Sequence, residues 1–146
     1  IQFLCLSELA YSLSKSEAEC GLNFCAPESI AQYYMEDMRH RKKEALKLLL
    51  LNMKTKLIGE SELSLGTINT TLVSPREVFA EALRRNAAAV ILLHNHPSGD
   101  PTPSREDVLA TRRVIDAGKI IGIELLDHII IGDNCFISLR DKGFFK

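Results

Sequence analysis

A chain of 146 residues is one domain by size and long enough to bury a core. Its 46% hydrophobic content is that of an ordinary globular protein, and a net charge of −1 offers no general attraction to nucleic acid. No apolar run is long enough to cross a bilayer, and the amino end lacks the basic-then-apolar order of a signal, so a cytoplasmic location with no membrane attachment is expected.

Phe3, Leu4, Leu6, Leu9, Ala10 and Leu13 recur close to helical spacing and predict a helix within residues 1–20. Small and polar residues from Ser12 to Cys25 read as a connection. The four cysteines, at 5, 20, 25 and 135, form no Cys-x-x-Cys pair and are expected to be reduced and structural. Pro27 suits the first position of a second helix, running through Ile30, Tyr33, Tyr34 and Met38. The basic cluster at residues 39–43 reads either as a contact for phosphate or an acidic partner, or as a solvated helix end where cations favour the dipole. The second is preferred, with His40 a surface residue. Residues 44–51 and 57–65 read as two strands joined by a polar turn. A bend with a short extended piece follows to Val73.

Ser74-Pro75-Arg76-Glu77 reads as a helix start, with an N-cap serine, a first-turn proline and Glu77 as the capping carboxylate. Val78, Phe79, Ala82 and Leu83 give this helix an apolar face, and Asn86 ends it. Ala87–Leu93 is wholly apolar, as in a strand buried on both faces. A later helix from Arg105 places Val108, Val114 and Ile115 on apolar positions, with Gly118 as its terminator. Residues 121–131 read as a strand, 132–134 as a turn and 135–139 as its return partner. His128 is left outside any site, since a strand histidine with a local hydrogen bond is the commoner case. No internal repeat or low-complexity segment is found.

Between the buried strand and the helix from Arg105 runs His94-Asn-His-Pro-Ser-Gly-Asp-Pro-Thr-Pro-Ser-Arg-Glu-Asp107. In extended conformation the imidazoles of His94 and His96 leave the same face. Pro97 biases His96 toward β geometry and ends strand pairing. Ser104 takes the N-cap place and Asp107 the first helical turn. Two neutral imidazoles and a carboxylate make three protein ligands, the pattern of a catalytic zinc site with its fourth position open to water. By itself, Ser104-x-x-Asp107 is better read as a capping box. His-x-His on a strand exit upstream turns the reading toward metal, with one zinc ion per chain. A zinc nucleobase deaminase would need His-x-Glu and Pro-Cys-x-x-Cys, and a gluzincin His-Glu-x-x-His; none of these is present. The three residues of an HNH nuclease, likewise, are dispersed and not contiguous on a strand end.

His-x-His-Pro followed by Ser-x-x-Asp, with ten residues between His96 and Asp107, resembles the JAMM (JAB/MPN) metalloprotease motif. The longer wording from His94 to Asp107 resembles its bacterial RadC branch. The stretches Ser74–Val78, Asn86–Ala89 and Leu125–Gly132 agree with it. The match runs from about Ala26, leaving residues 1–25 as a helical extension ahead of a metallohydrolase domain at 26–146. This resemblance implies an α/β fold, a curved mixed β-sheet flanked by helices as in JAB/MPN and cytidine-deaminase-like domains. It also implies a catalytic base. Glu44 shares strand parity with Leu46, Leu48 and Leu50, opposite to Lys47, but the residues alone do not separate it from Glu60, Glu62 or Glu77. In RadC-like chains the Glu that opens this strand aligns with the upstream catalytic Glu.

The reaction so implied is hydrolysis of a peptide or isopeptide bond. Zinc held by His94, His96 and Asp107 would activate water. Glu44 would take the proton and hand it to the leaving amine. Ser104 would donate a hydrogen bond to the oxyanion, while its oxygen caps the helix. The expected partner is a peptide or protein substrate, whose identity is not legible, and neither is the oligomeric state. Two other readings stay open. RadC-like proteins are traditionally linked to DNA repair, which suggests a nucleic-acid or protein-binding module, but net charge does not support DNA as the partner. Some MPN domains are non-catalytic scaffolds, but those lose ligands and this chain keeps all three. The chain opens on Ile1, as a trimmed chain or a fragment would, and nothing in it matches the helix-hairpin-helix segment that usually precedes a RadC-like catalytic domain.

Overall fold

The computed structural model describes residues 22–63 and 73–146. The helix expected within residues 1–20, Cys5 and Cys20, and the bend at 66–72 lie outside them. The described elements are α1 (Pro27–Arg39), β1 (Leu46–Leu51), β2 (Leu57–Leu63), α2 (Pro75–Arg84), β3 (Ala89–Asn95), α3 (Arg105–Ile121), β4 (Glu124–Ile131) and β5 (Phe136–Ser138). The five strands form one sheet in the order β2-β1-β3-β4-β5. Only β3 and β4 run parallel; the other pairs are antiparallel. Parallel neighbours need a crossover, and α3 supplies it. The mixed sheet flanked by helices is the α/β architecture expected.

Both faces of the sheet are covered, which is why β1 and β3 are buried along their whole lengths. Leu46, Leu48 and Leu50 of β1 pack with Val90 and Leu92 of β3 against Val78, Phe79 and Ala82 of α2 and Ala110 and Val114 of α3. On the opposite face, Leu49, Leu51, Ile91, Leu93, Ile129 and Ile131 pack against Ile30, Ala31, Tyr34 and Met38 of α1. Each fully buried aliphatic side chain contributes about 1.5–3 kcal/mol, so the two central strands dominate the core. Lys47 is the polar member of β1 on the α1 face. Its ammonium is held 2.8 Å from Asp37, 3.6 Å from Glu60 and 5.2 Å from the centre of the Tyr34 ring.

Several local expectations are corrected. β1 begins at Leu46, so Glu44 precedes the strand and does not open it. Ser74 caps α2 without a side-chain bond, because the Glu77 N–H already donates to the Ser74 carbonyl. Leu83 of α2 is 57% exposed and leaves the apolar face to its neighbours. Gly118 does not end α3: the helix runs to Ile121, and Gly122 takes the left-handed terminal position at φ 84°. Gly118 is instead a point of close approach, where an added Cβ would stand 2.4 Å from the Ile123 carbonyl oxygen. Asn86 ends α2 as expected, at φ 53°. Cys25 and Cys135 are free and exposed. Among the described residues no helix is long and apolar enough to cross a membrane.

Candidate metal centre

The site forms where β3 runs out. Leu46 and His94 make the last paired rung between β1 and β3, and His94 shares the α2–α3 face with Val90 and Leu92. His96 lies just past the strand, anchored by its N–H to the Ile131 carbonyl. The chain then turns away through Pro97 and Gly99, which takes φ 85°. The β4–β5 turn braces this loop, as the Asp133 N–H donates to the Gly99 carbonyl at 2.9 Å. The approach is so close that a Cβ on Gly132 would lie 2.3 Å from the Gly99 oxygen, so residue 132 must be glycine. Asp100 accepts hydrogen bonds from the Thr102 N–H and hydroxyl, which shapes the run into α3.

At the head of α3 the capping box is complete. The Ser104 hydroxyl accepts from the Asp107 N–H at 3.1 Å, and Asp107 Oδ2 accepts from the Ser104 N–H at 2.8 Å and its hydroxyl at 2.7 Å. This box aims Asp107 back at the histidines. Its Oδ1 lies 3.4 Å from His94 Nδ1, and its Oδ2 lies 3.4 Å from His96 Nε2. The two imidazoles meet edge to face, with ring centres 4.8 Å apart. Glu44 Oε2 stands 3.9 Å from His94 Nε2. One donor atom from each of Glu44, His94 and His96 can be chosen so that all lie within 4.8 Å of one another.

The hydrogen-bond partners define which atom each group can offer. His96 Nδ1 is 2.8 Å from the Asp100 carbonyl, which can only accept, so Nδ1 carries a proton and the neutral ring would offer Nε2 as its ligand atom. Both nitrogens of His94 are buried without a hydrogen-bond partner. Burial pushes His94 down to about 4, with the His96 charge adding to the effect and that of Asp107 opposing it, so this imidazole is neutral. The hydrogen bond to Asp107 raises His96 against the effect of its own burial. Burial would raise Asp107, but hydrogen bonds from His96 and Ser104 outweigh it and hold the carboxyl well below the usual range. Two imidazoles and a carboxylate thus meet at 3.4 Å, with neither His94 nitrogen hydrogen-bonded, and a cation could take the place of the proton that His96 shares with Asp107. A donor set of two imidazoles and one carboxylate suits zinc. The His96 contact to the Asp100 carbonyl is the outer bond that commonly orients a ligating histidine.

His94, His96, Asp107 and Glu44, four sequence-predicted residues from three parts of the chain, are thus brought together. Asp107 serves the cap and faces the imidazoles at once, so the two readings of Ser104-x-x-Asp107 coexist. Ser104 differs from expectation, because its single proton is committed to Asp107 Oδ2 and is not free for an oxyanion in this geometry. The competing carboxylates are engaged elsewhere: Glu60 by Tyr34 and Lys47, and Glu62 by Arg41. Glu77 is exposed in the first turn of α2.

Sequence reading missed His128. Its ring stacks on His94 at 5.9 Å with an interplanar angle of 23°. The Thr111 hydroxyl donates to the Asp107 carbonyl at 2.6 Å, so His128 Nδ1 must be the donor in its 2.7 Å contact with that hydroxyl. Burial pushes His128 down to about 3, and the ring is neutral. A bulge sets the face that this residue takes. Pairing between β3 and β4 shifts between Val90 and Ile91, so Leu125 opposite Val90 and His128 opposite Leu92 face the same side despite opposite parity. A strict two-residue alternation from Leu125 puts His128 on the wrong face.

The RadC-like JAB domain family matches residues 24–144. A UPF0758 protein of Bacillus cereus (strain B4264) is 49% identical over 142 residues, covering 97% of this chain and 63% of that protein. One from Desulforamulus reducens is 50% identical over 143 residues, covering 98% and 63%. One from Caldanaerobacter subterraneus subsp. tengcongensis is 49% identical over 138 residues, covering 94% and 59%. The chain therefore spans less than two thirds of the length of these curated relatives.

Proposed function

Since this chain belongs to the RadC-like JAB domain family, which is related to the JAMM metalloproteases, we propose that the site is the centre of a zinc-dependent hydrolase acting on a peptide or isopeptide bond. The observation that carries this reading is the meeting of His94, His96 and Asp107 at 3.4 Å beside the exposed carboxylate of Glu44. His94, His96 and Asp107 would hold one ion per chain. Asp107 is preferred to Glu44 as the third ligand because it is buried and lies 3.4 Å from both imidazoles. A bound zinc ion would supply the Lewis acid that activates water and polarises the carbonyl. Glu44, at the solvent side of His94, takes the water's proton and delivers it to the leaving amine. Ser104 orients Asp107 and serves an oxyanion only if its hydroxyl turns away from that carboxylate.

The substrate would be a peptide or protein, bound by a domain at residues 26–146 that follows the extension at 1–25. The basic cluster gives a nucleic-acid reading little support. Arg39 is engaged by Glu36, Asp133 and Asn134, and Arg41 by Asp37 and Glu62. The test is to load wild type and Glu44→Gln with zinc, measure metal content, and assay peptide- and isopeptide-linked substrates. The expected result is one zinc per chain in both, with turnover at least about 100-fold slower in the variant. Loss of zinc from Glu44→Gln would make Glu44 a ligand, and loaded wild type that cleaves neither bond type would favour a scaffold.

A further inference from the structure

The residue between the two histidines makes contacts that the proposed chemistry has not yet used. Asn95 is 1% exposed, and its side chain leaves β3 on the side opposite His94 and His96. Its Oδ1 accepts from the Ala45 N–H at 2.6 Å, and its Nδ2 donates to the Lys43 carbonyl at 3.2 Å. Its own N–H donates to the Ala45 carbonyl at 3.3 Å. The last residue pair of the β1–β3 ladder is Leu46 with His94. Beyond that rung the carboxamide acts as one more peptide unit, with an acceptor and a donor matched to the backbone groups on either side of Glu44. Glu44 itself lies outside the strand and is exposed. Only a carboxamide supplies both roles at this reach: a carboxylate lacks the donor and a methyl lacks both.

We propose that Asn95 is a positioning residue, whose carboxamide clamps Lys43 and Ala45 and thereby holds the Glu44 carboxylate beside His94. The inference rests on the reading of Glu44 as the proton acceptor. It explains why the two histidines enclose a buried amide: one strand end then places the metal ligands on one face and anchors the base from the other. An unclamped Glu44 would be held at this link only by the bond from the Asn95 N–H to the Ala45 carbonyl and would sample more positions.

The test uses the full chain loaded with cobalt(II) in place of zinc, as wild type, Asn95→Ala and Asn95→Asp. The readouts are the metal-induced NMR shifts of the Glu44 side chain and hydrogen exchange at the Ala45 amide. In Asn95→Ala, exchange at Ala45 should rise about tenfold, as for loss of one buried hydrogen bond. The Glu44 shifts should collapse toward averaged values while those of Thr111 and Val114 hold, with metal content unchanged. Asn95→Asp keeps an acceptor for Ala45 but loses the donor to Lys43. It should keep Ala45 protected and still lose part of the Glu44 shifts, and it carries the test if the alanine variant does not fold. Glu44 shifts identical to wild type in the folded variants would overturn the proposal. These shifts report where Glu44 lies, whereas turnover of Glu44→Gln reports what it does, so the two readings can fail separately.

Discussion

Replacing Asp107 by asparagine removes the charge at the centre and leaves its shape. The carboxamide oxygen still accepts from the Ser104 N–H, so the N-cap, worth about 1 kcal/mol, survives in large part. What goes is the anionic donor that stands 3.4 Å from His94 and from His96. An ion that binds only the folded chain adds about 4 kcal/mol at a free concentration a thousandfold above its dissociation constant. In a chain of this size each kcal/mol moves the melting midpoint by roughly 2–4 °C. Wild type should therefore melt roughly 8–16 °C higher in zinc than in chelator. Asp107→Asn should melt within roughly 4 °C of chelated wild type and gain nothing from zinc. The assay is a pair of calorimetric scans for each protein, beside elemental analysis. A variant that keeps its zinc and its full zinc-dependent gain would remove Asp107 from the ligand set and put Glu44 in its place.

Three further substitutions probe the supports of the site. Ser104→Ala deletes the capping hydroxyl and should cost about 1 kcal/mol in the metal-free protein, read as a midpoint roughly 2–4 °C lower; an unchanged midpoint would mean the box adds nothing. Thr111→Val strands the His128 Nδ1–H in the core and should cost about 1–3 kcal/mol by urea titration, whereas a neutral result would break the chain from His128 to Asp107. Gly118→Ala drives a Cβ against the Ile123 carbonyl and should cost about 1–3 kcal/mol by the same method. A stable variant there would show that the backbone after α3 yields easily.

What was legible in the sequence depended on how local its cause is. Ala89–Leu93 is apolar at every position because both faces of β3 are covered, and that needs no partner to be known. The prolines and the Ser104-x-x-Asp107 spacing likewise act over a few residues, so the loop and the head of α3 were readable. Gly118 and Gly122 show the limit: both are glycines near a helix end, and only packing against Ile123 tells which one marks close approach. Leu83 looked like part of an apolar stripe, but Val78, Phe79 and Ala82 are the residues that α2 buries. Glu44 was separable from Glu60 and Glu62 only by family resemblance, because what distinguishes it is its proximity to His94 across the β1–β3 pairing. His128 was set aside as a strand histidine with a local hydrogen bond, and its face on β4 was not legible either. A bulge in the register reversed the parity of β4, and no feature of residues 121–131 announces a bulge.

The most direct test of the metal reading is zinc content by elemental analysis, on wild type and His94→Ala purified without a metal-chelating column. Both nitrogens of His94 are buried without a hydrogen-bond partner, which is the feature that the metal reading accounts for. About one zinc per wild-type chain, lost in His94→Ala with the fold intact, is the predicted result. No zinc in wild type, and none taken up when it is added, would contradict the account.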